Sequence, residues 1–294
     1  MPDPVRPSIA QTLDRGAEQL AGAGVLNAKR EATALWAALE GLAPGEVWLK
    51  REGASVTPIR QRFWDAVEQR ALGVPFPYAV GRVSFRTLEL KCDRRALIPR
   101  PETEGLVELV LEWGKRDGGR ANGGLVADVG TGCGCIALSL AVEGRFDRVV
   151  AVDRSRDAAD LARENVALVR PRIPVEVREG DLLAPLAGAR YRVIVSNPPY
   201  LTEAEYDELA PAVKQFEPRA ALVSGRDGLA ATRALFQGAA PLLEPGGVLC
   251  LEIDERRGDE VRLLAHQHGW RRIGIHQDSF GRARYALAFP REGA

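Results

Sequence analysis

Leu-Val-Ala-Asp-Val-Gly-Thr-Gly-Cys-Gly-Cys-Ile-Ala-Leu-Ser-Leu, residues 125–140, runs from an apolar stretch through a glycine-rich turn into a second apolar stretch of helical character. Leu125 to Val129 has the length of a buried strand and Ile136 to Leu140 continues as a helix, so the segment predicts a strand–turn–helix unit. Glycines at alternate positions permit the tight turn and let a ligand approach backbone N–H groups at the helix start. Their spacing is Gly-x-Gly-x-Gly. The dinucleotide fingerprint would need glycine at the position of Cys135, which weakens a nicotinamide-binding reading without removing it. A turn that merely joins strand to helix has the same composition.

Further along the chain the same alternation recurs. Apolar strands are expected at Arg148 to Val152, Pro174 to Val177, Tyr191 to Val195 and Gly247 to Ile253, separated by helical stretches. Such alternation predicts an α/β fold with a parallel sheet covered by helices on both faces. Two further strands, Arg272 to Ile275 and Arg284 to Phe289, have no long helix between them, so the last is expected to insert antiparallel. Toward the N-terminus the pattern is helical. Ser8 and Gln11 form a capping box ahead of Ile9, Leu13, Ala17 and Leu20, a second face carries Ala32, Trp36 and Leu39, and a third starts at Thr57-Pro58 with Ile59, Phe63 and Val67. Pro75 and Pro77 break the helical period between Gly73 and Gly81, after which Val83, Phe85, Leu88, Leu90 and Cys92 suggest two short strands. The expected division is a helical bundle over 1–73, a hairpin linker over 74–96 and an α/β domain over 97–294.

Composition narrows the function. Forty basic and forty acidic residues cancel in a chain of 294, so no global field favours nucleic acid. Asp3, Arg6, Asp14, Arg15 and Glu18 interrupt the first apolar residues, leaving neither a secretory signal nor a membrane span, and a cytoplasmic location is expected. The four cysteines match no zinc or redox spacing, and the three histidines lie together near residue 270 without a metal signature, so no metal is predicted.

Candidate binding groups stand at the ends of the predicted strands, where doubly wound sheets bind ligands. Asp153 ends the second and can accept both hydroxyls of a ribose; with no arginine cluster for a phosphate, an adenosine suits the pocket as well as a dinucleotide. Asp181 and Leu182 follow the third, where they could meet an adenine amine and ring. After the fourth comes Asn197-Pro198-Pro199-Tyr200. The asparagine amide oxygen and the carbonyl of Pro198 lie on a backbone stiffened by two prolines, and two acceptors held together fit the two N–H donors of a planar NH2 group, with Tyr200 against its plane. Asn-Pro also initiates ordinary turns. Glu252 is an acid on an apolar strand, read as a hydrogen-bonded structural residue.

Together with Ile98-Pro99-Arg100-Pro101-Glu102-Thr103-Glu104, where a helix is expected near Thr103, and with Glu217-Pro218-Arg219-Ala220-Ala221-Leu222, these residues resemble the protein-(glutamine N5) methyltransferases that modify peptide chain release factors. The likeness covers almost the whole chain. It implies a class I S-adenosylmethionine-dependent methyltransferase fold, Rossmann-like, with a seven-stranded sheet whose last strand is antiparallel, and an N-terminal helical bundle that recognises substrate. It implies S-adenosyl-L-methionine as donor, S-adenosyl-L-homocysteine as product, and the glutamine of a release factor's Gly-Gly-Gln tripeptide as acceptor, without nucleic acid or membrane as partners. By motif, Gly130, Thr131, Gly132, Cys133 and Gly134 would line the methionine part of the cofactor, Asp153 its ribose, and Asp181 with Leu182 its adenine. Asn197 would touch both ligands; Asn197 and Pro198 would hold the glutamine NH2, Tyr200 would pack on the amide and Pro199 would fix the loop.

Two departures from that pattern bear on docking: Asp254 where glycine is common, and Arg86-Thr87 in place of an aromatic-glycine pair after Phe85. Two rival substrates share the tetrapeptide's chemistry: a glutamine of a large-subunit ribosomal protein, and an adenine amine flipped out of DNA. Neutral charge and the lack of a basic recognition domain argue against the second.

Overall fold

The computed structural model describes residues 7–116 and 123–291. The chain divides into two compact units, one ending at Arg82 and the other starting at Val83.

The first unit is helical: α1 (Ile9–Gly22), α2 (Ala28–Glu40), α3 (Pro44–Lys50), α4 (Thr57–Ala71) and α5 (Phe76–Val80). The capping box at its start is present, with the Gln11 N–H donating to Ser8 Oγ at 3.1 Å and the Ser8 N–H donating to Gln11 Oε1 at 3.0 Å. Trp36, Phe63, Leu20 and Leu35 are fully buried, and Trp36 meets Phe63 edge-on at 5.4 Å. Gly16 permits that packing, since a Cβ there would lie 2.6 Å from the Phe63 ring. Helices α3 and α5 depart from expectation. The Pro75–Pro77 segment does interrupt the long helical period, but prolines in a first turn are compatible with helix, and a five-residue helix forms before Gly81 ends it at φ 73°.

The second unit starts with the expected hairpin, β1 (Arg82–Phe85) and β2 (Leu88–Lys91), then α6 (Pro101–Arg116). Helix α6 opens two residues ahead of Thr103 because Pro101 is itself pre-organised for a first turn. There follow β3 (Leu125–Val129), α7 (Cys135–Glu143), β4 (Arg148–Asp153), α8 (Arg156–Val169), β5 (Val175–Glu179), β6 (Tyr191–Ser196), α9 (Glu203–Asp207), α10 (Pro211–Phe216), α11 (Ala230–Gly238), β7 (Leu243–Glu252), α12 (Gly258–Gln267), β8 (Arg272–Gln277) and β9 (Ala283–Phe289). Seven strands form one sheet in the order β5-β4-β3-β6-β7-β9-β8. Strand β9 inserts antiparallel between β7 and β8, and the other neighbours pair in parallel, as the sequence predicted. Apolar layers cover both faces, one centred on Leu106, Leu138, Leu140 and Leu161, the other on Tyr191, Leu235, Phe236 and Trp270.

The strand order reverses between β3 and β6, so the loops that leave these two strands diverge and open a crevice at their carboxyl ends.

Arg86, one of the departing residues, occupies the β1–β2 turn at φ 51°, a left-handed conformation unfavourable for a side chain. Its guanidinium bonds to both Glu143 carboxylate oxygens at 2.8 and 2.7 Å, to Glu108 at 2.7 Å and to the Glu104 carbonyl at 3.1 Å. Those contacts fix the hairpin onto α6 and α7 and offset the backbone cost.

Candidate active site

Register places the two key loops side by side. Val129 pairs with Ser196 at the ends of β3 and β6, and the Ser196 hydroxyl donates to the Val129 carbonyl at 2.6 Å. Gly130 and Asn197 therefore leave adjacent strands at the same level.

Asp128 supports the glycine loop from beneath. Its Oδ2 accepts the Thr131 hydroxyl at 2.6 Å and the Ala137 N–H at 3.1 Å, while Oδ1 has no protein partner among the described residues. Burial pushes this carboxyl up to about 7, against the pull of those two donors. Asn165 on α8 ties the loop to the hairpin: its Nδ2 donates to the Cys133 carbonyl at 2.8 Å and the Lys91 carbonyl at 3.0 Å, and its Oδ1 accepts the Lys91 N–H at 2.7 Å. At the end of β4, Asp153 accepts N–H groups from Gly132 at 2.9 Å and Ser155 at 2.8 Å, and burial raises its carboxyl despite them.

A cavity of about 490 Å³ opens above these groups. Of the predicted site residues, Gly130, Gly132, Asp153, Asp181, Leu182, Asn197 and Pro199 line it. Thr131, Cys133 and Gly134 do not; all three are buried and shape the loop from behind. Pro198 is buried and Tyr200 lies to one side. A Cβ at Gly130, whose φ is 75°, would meet no protein atom within 4 Å, so the glycine leaves open space over the turn. Leu182 is held at φ 44°, a strained conformation on the cavity wall.

Asn197 is anchored from the other side. Its Nδ2 donates to Thr103 Oγ1 at 3.0 Å, and the Thr103 hydroxyl donates to Glu252 Oε2 at 2.7 Å. The Tyr200 hydroxyl approaches Glu252 Oε1 at 3.4 Å. Glu252 is 1% exposed, and its burial, countered by the Thr103 hydroxyl and Arg284 and reinforced by Glu102, pushes the carboxyl up to about 7. Helix α6 comes close to Tyr285, the β9 residue paired with Glu252, because Gly105 has no side chain. A Cβ there would lie 2.1 Å from the Tyr285 hydroxyl, which instead donates to the Glu102 carbonyl at 2.6 Å.

The segments on either side are also cross-linked. Glu217 accepts the Ile98 N–H at 3.2 Å and Arg100 at 2.6 Å, joining the segments that begin at Ile98 and at Glu217 through a buried carboxylate. Asp254, the second departing residue, bonds Arg257 at 2.7 Å; Arg257 in turn bonds both Glu205 oxygens at 2.7 and 2.8 Å and the Tyr200 carbonyl at 3.3 Å. Burial works to raise the Asp254 carboxyl, but hydrogen bonds and charge from Arg256, with Arg257, hold it below the usual range. No local sequence pattern marks Asn165, Thr103 or Arg257 as site-forming: each meets a partner distant in sequence, the Lys91 and Cys133 backbone, Asn197 with Glu252, and Glu205 respectively.

Two family profiles match the chain: "PrmC N-terminal domain" over residues 11–81 and "Methyltransferase small domain" over 115–217. The release factor glutamine methyltransferase of Moorella thermoacetica is 39% identical over 97% of this chain and 99% of its own length. That of Deinococcus radiodurans is 39% identical over 95% and 98%. Among solved structures, a methyltransferase from Pyrococcus furiosus aligns with a TM-score of 0.50 at 17% identity, covering 80% of this chain and 98% of that one. The Thermus thermophilus 16S rRNA N2 G1207 methyltransferase in complex with AdoMet and guanosine aligns at 0.51 and 20%, covering 71% and 50%. Those two likenesses establish the sheet architecture.

Proposed function

Since the chain belongs to the release factor glutamine methyltransferase family, we propose that it methylates the side-chain amide nitrogen of the glutamine in the Gly-Gly-Gln tripeptide of a peptide chain release factor, with S-adenosyl-L-methionine as donor. The observation that carries the reading is the position of Asn197 on the wall of the same cavity as Gly130 and Asp153, with its amide nitrogen already engaged by Thr103. That leaves the amide oxygen as the group available to a ligand.

The residues fit the donor. The space above Gly130 would take its methionine part against backbone, Asp153 would hold the ribose, and Asp181 with Leu182 would flank the adenine. When bound, S-adenosylmethionine supplies an electrophilic methyl group on sulfur and becomes S-adenosylhomocysteine.

The chemical difficulty is the acceptor. An amide nitrogen is a weak nucleophile because its lone pair is delocalised into the carbonyl. Asn197 Oδ1 and the Pro198 carbonyl would accept the two N–H bonds of the glutamine, orienting the nitrogen and stabilising positive charge as it develops there. Two successive prolines keep the loop from relaxing and remove backbone donors that would compete. Tyr200 would pack against the amide plane. The alkylated amide is strongly acidic and releases its proton to solvent, so the scheme needs no dedicated base.

The test is transfer of labelled methyl from S-adenosylmethionine to a purified release factor and to the same factor with its Gly-Gly-Gln glutamine replaced. Label is expected on the first and absent from the second. Label on a ribosomal protein or DNA instead overturns the substrate assignment.

A further inference from the structure

Asn197 belongs to a chain of three side chains from three separate elements. Thr103 comes from α6, Asn197 from the end of β6 and Glu252 from the end of β7, and they connect at 3.0 and 2.7 Å. The chain has a direction set by chemistry. An ionised carboxylate has no proton to give, so Glu252 requires the Thr103 hydroxyl to donate to it. With its single proton committed, the Thr103 oxygen can only accept, and only the NH2 end of Asn197 can supply the donor. The amide oxygen is then turned away from Thr103.

We propose that Thr103 and Glu252 are positioning residues that fix the polarity of the Asn197 amide, so that its oxygen rather than its nitrogen meets the incoming glutamine NH2. The inference rests on the glutamine-methylating reading of this site and adds its determinant of selectivity. An amide presented the other way round would offer N–H donors to a group that itself donates, and would repel the positive charge that transfer creates. Asparagine alone cannot choose, because its two ends have nearly the same shape. The buried carboxylate makes the choice. It also places a negative charge two hydrogen bonds behind the acceptor, aligning each dipole in the chain toward the developing cation.

A buried carboxylate that served packing alone would give way to neutral glutamine with a gain in stability and no loss of turnover, whereas one that polarises the site would gain stability and lose turnover. This separates the inference from a merely structural role. The experiment measures kcat and KM for the release factor, the Kd for S-adenosylmethionine, and the thermal midpoint at pH 8, in wild type, Thr103→Val, Thr103→Ser and Glu252→Gln.

Thr103→Val is expected to lower kcat at least tenfold with the cofactor Kd within about twofold of wild type, and Thr103→Ser to restore kcat to within about threefold. Glu252→Gln is expected to raise the midpoint yet lower kcat. Unchanged kcat in Thr103→Val, or a loss that Thr103→Ser fails to rescue, overturns the inference. If Thr103→Val does not fold, Glu252→Gln decides: a higher midpoint with lower kcat supports the inference, and unchanged kcat, or a fall in midpoint and kcat together, overturns it. Absence of methyl transfer by the wild-type protein overturns the functional reading and this inference with it, whereas normal wild-type transfer with an indifferent Thr103→Val overturns this inference alone.

Discussion

The Ser196 hydroxyl donates to the Val129 carbonyl at 2.6 Å, tying together the ends of the two parallel strands between which the strand order reverses. Both loops of the candidate site begin one residue later, at Gly130 and Asn197. The glycine loop and the Asn-Pro-Pro-Tyr loop are therefore held at one shared strand edge.

Gly130→Ala tests the cofactor half. A methyl group at 130 clashes with no protein atom, so the fold survives with a cost of about 1 kcal/mol for the left-handed backbone. The space it takes is the space assigned to the ligand. Isothermal titration is expected to show S-adenosylmethionine binding weakened tenfold or more; unaltered binding would place the cofactor elsewhere.

Asp254→Gly tests the support of the acceptor loop. Arg257 would keep Glu205 but lose the carboxylate that steadies it beneath the Tyr200 carbonyl. Methyl transfer is expected to fall several-fold through kcat, with S-adenosylmethionine affinity unchanged. Arg257→Met removes the bond to the Tyr200 carbonyl as well but leaves Asp254 and Glu205 paired with Arg256, so its cost in urea denaturation should be moderate, about 1–2 kcal/mol.

Arg86→Met tests the hairpin anchor. The guanidinium side chain is 14% exposed and serves Glu143 and Glu108, whose side chains are 20% and 46% exposed. Leaving them unpaired is expected to cost about 2 kcal/mol, a moderate value because Glu108 can turn to water. The denaturation midpoint should fall while kcat at a temperature where the variant is folded stays near wild type.

The protonation of Glu252 gives a pH dependence of fixed sign. Its carboxyl sits near 7 in the folded state against 4.5 for the ordinary group, pushed up by burial and by Glu102, opposed by the hydroxyls of Thr103 and Tyr200 and by Arg284 on β9. A raised carboxyl favours folding fully below about pH 4.5, and that advantage is lost as pH rises to about 7. The stability gain of Glu252→Gln over wild type should thus be negligible near pH 4.5 and grow to at most about 3 kcal/mol by pH 8. Thermal scans of the two proteins across that range check it; a gain independent of pH would mean that Glu252 does not ionise there. The same ionisation should make wild-type methyl transfer rise as pH passes through 7.

Much of the second unit was legible because its signals are local. Short apolar runs punctuated by glycine or acid mark β3, β4 and β6, and the lack of a helix before β9 marks its reversal. The glycine turn, Asp153 and the Asn-Pro-Pro-Tyr loop announce themselves by residue type and position. Helices α3 and α5 did not, since one or two turns flanked by proline carry too few residues to show a period. Nor did the partners of Asn197. Nothing near Glu252 indicates that it will face a threonine 149 residues earlier, and Arg257 and Asn165 look like ordinary helix-surface and helix-interior residues until the fold supplies their partners. Asp254 and Arg86, which appear in the sequence as departures from a pattern, prove in the structure to be the centres of ion-pair clusters.

The Asn197–Thr103, Thr103–Glu252 and Glu102–Tyr285 contacts join residues 94, 149 and 183 positions apart. Loops of that size are closed by the sheet that lies between their ends rather than by the single hydrogen bonds themselves. The tetrapeptide is contiguous in sequence, yet the side chains that fix its asparagine come from segments far to either side of it, so the orientation of that one amide depends on the second unit as a whole.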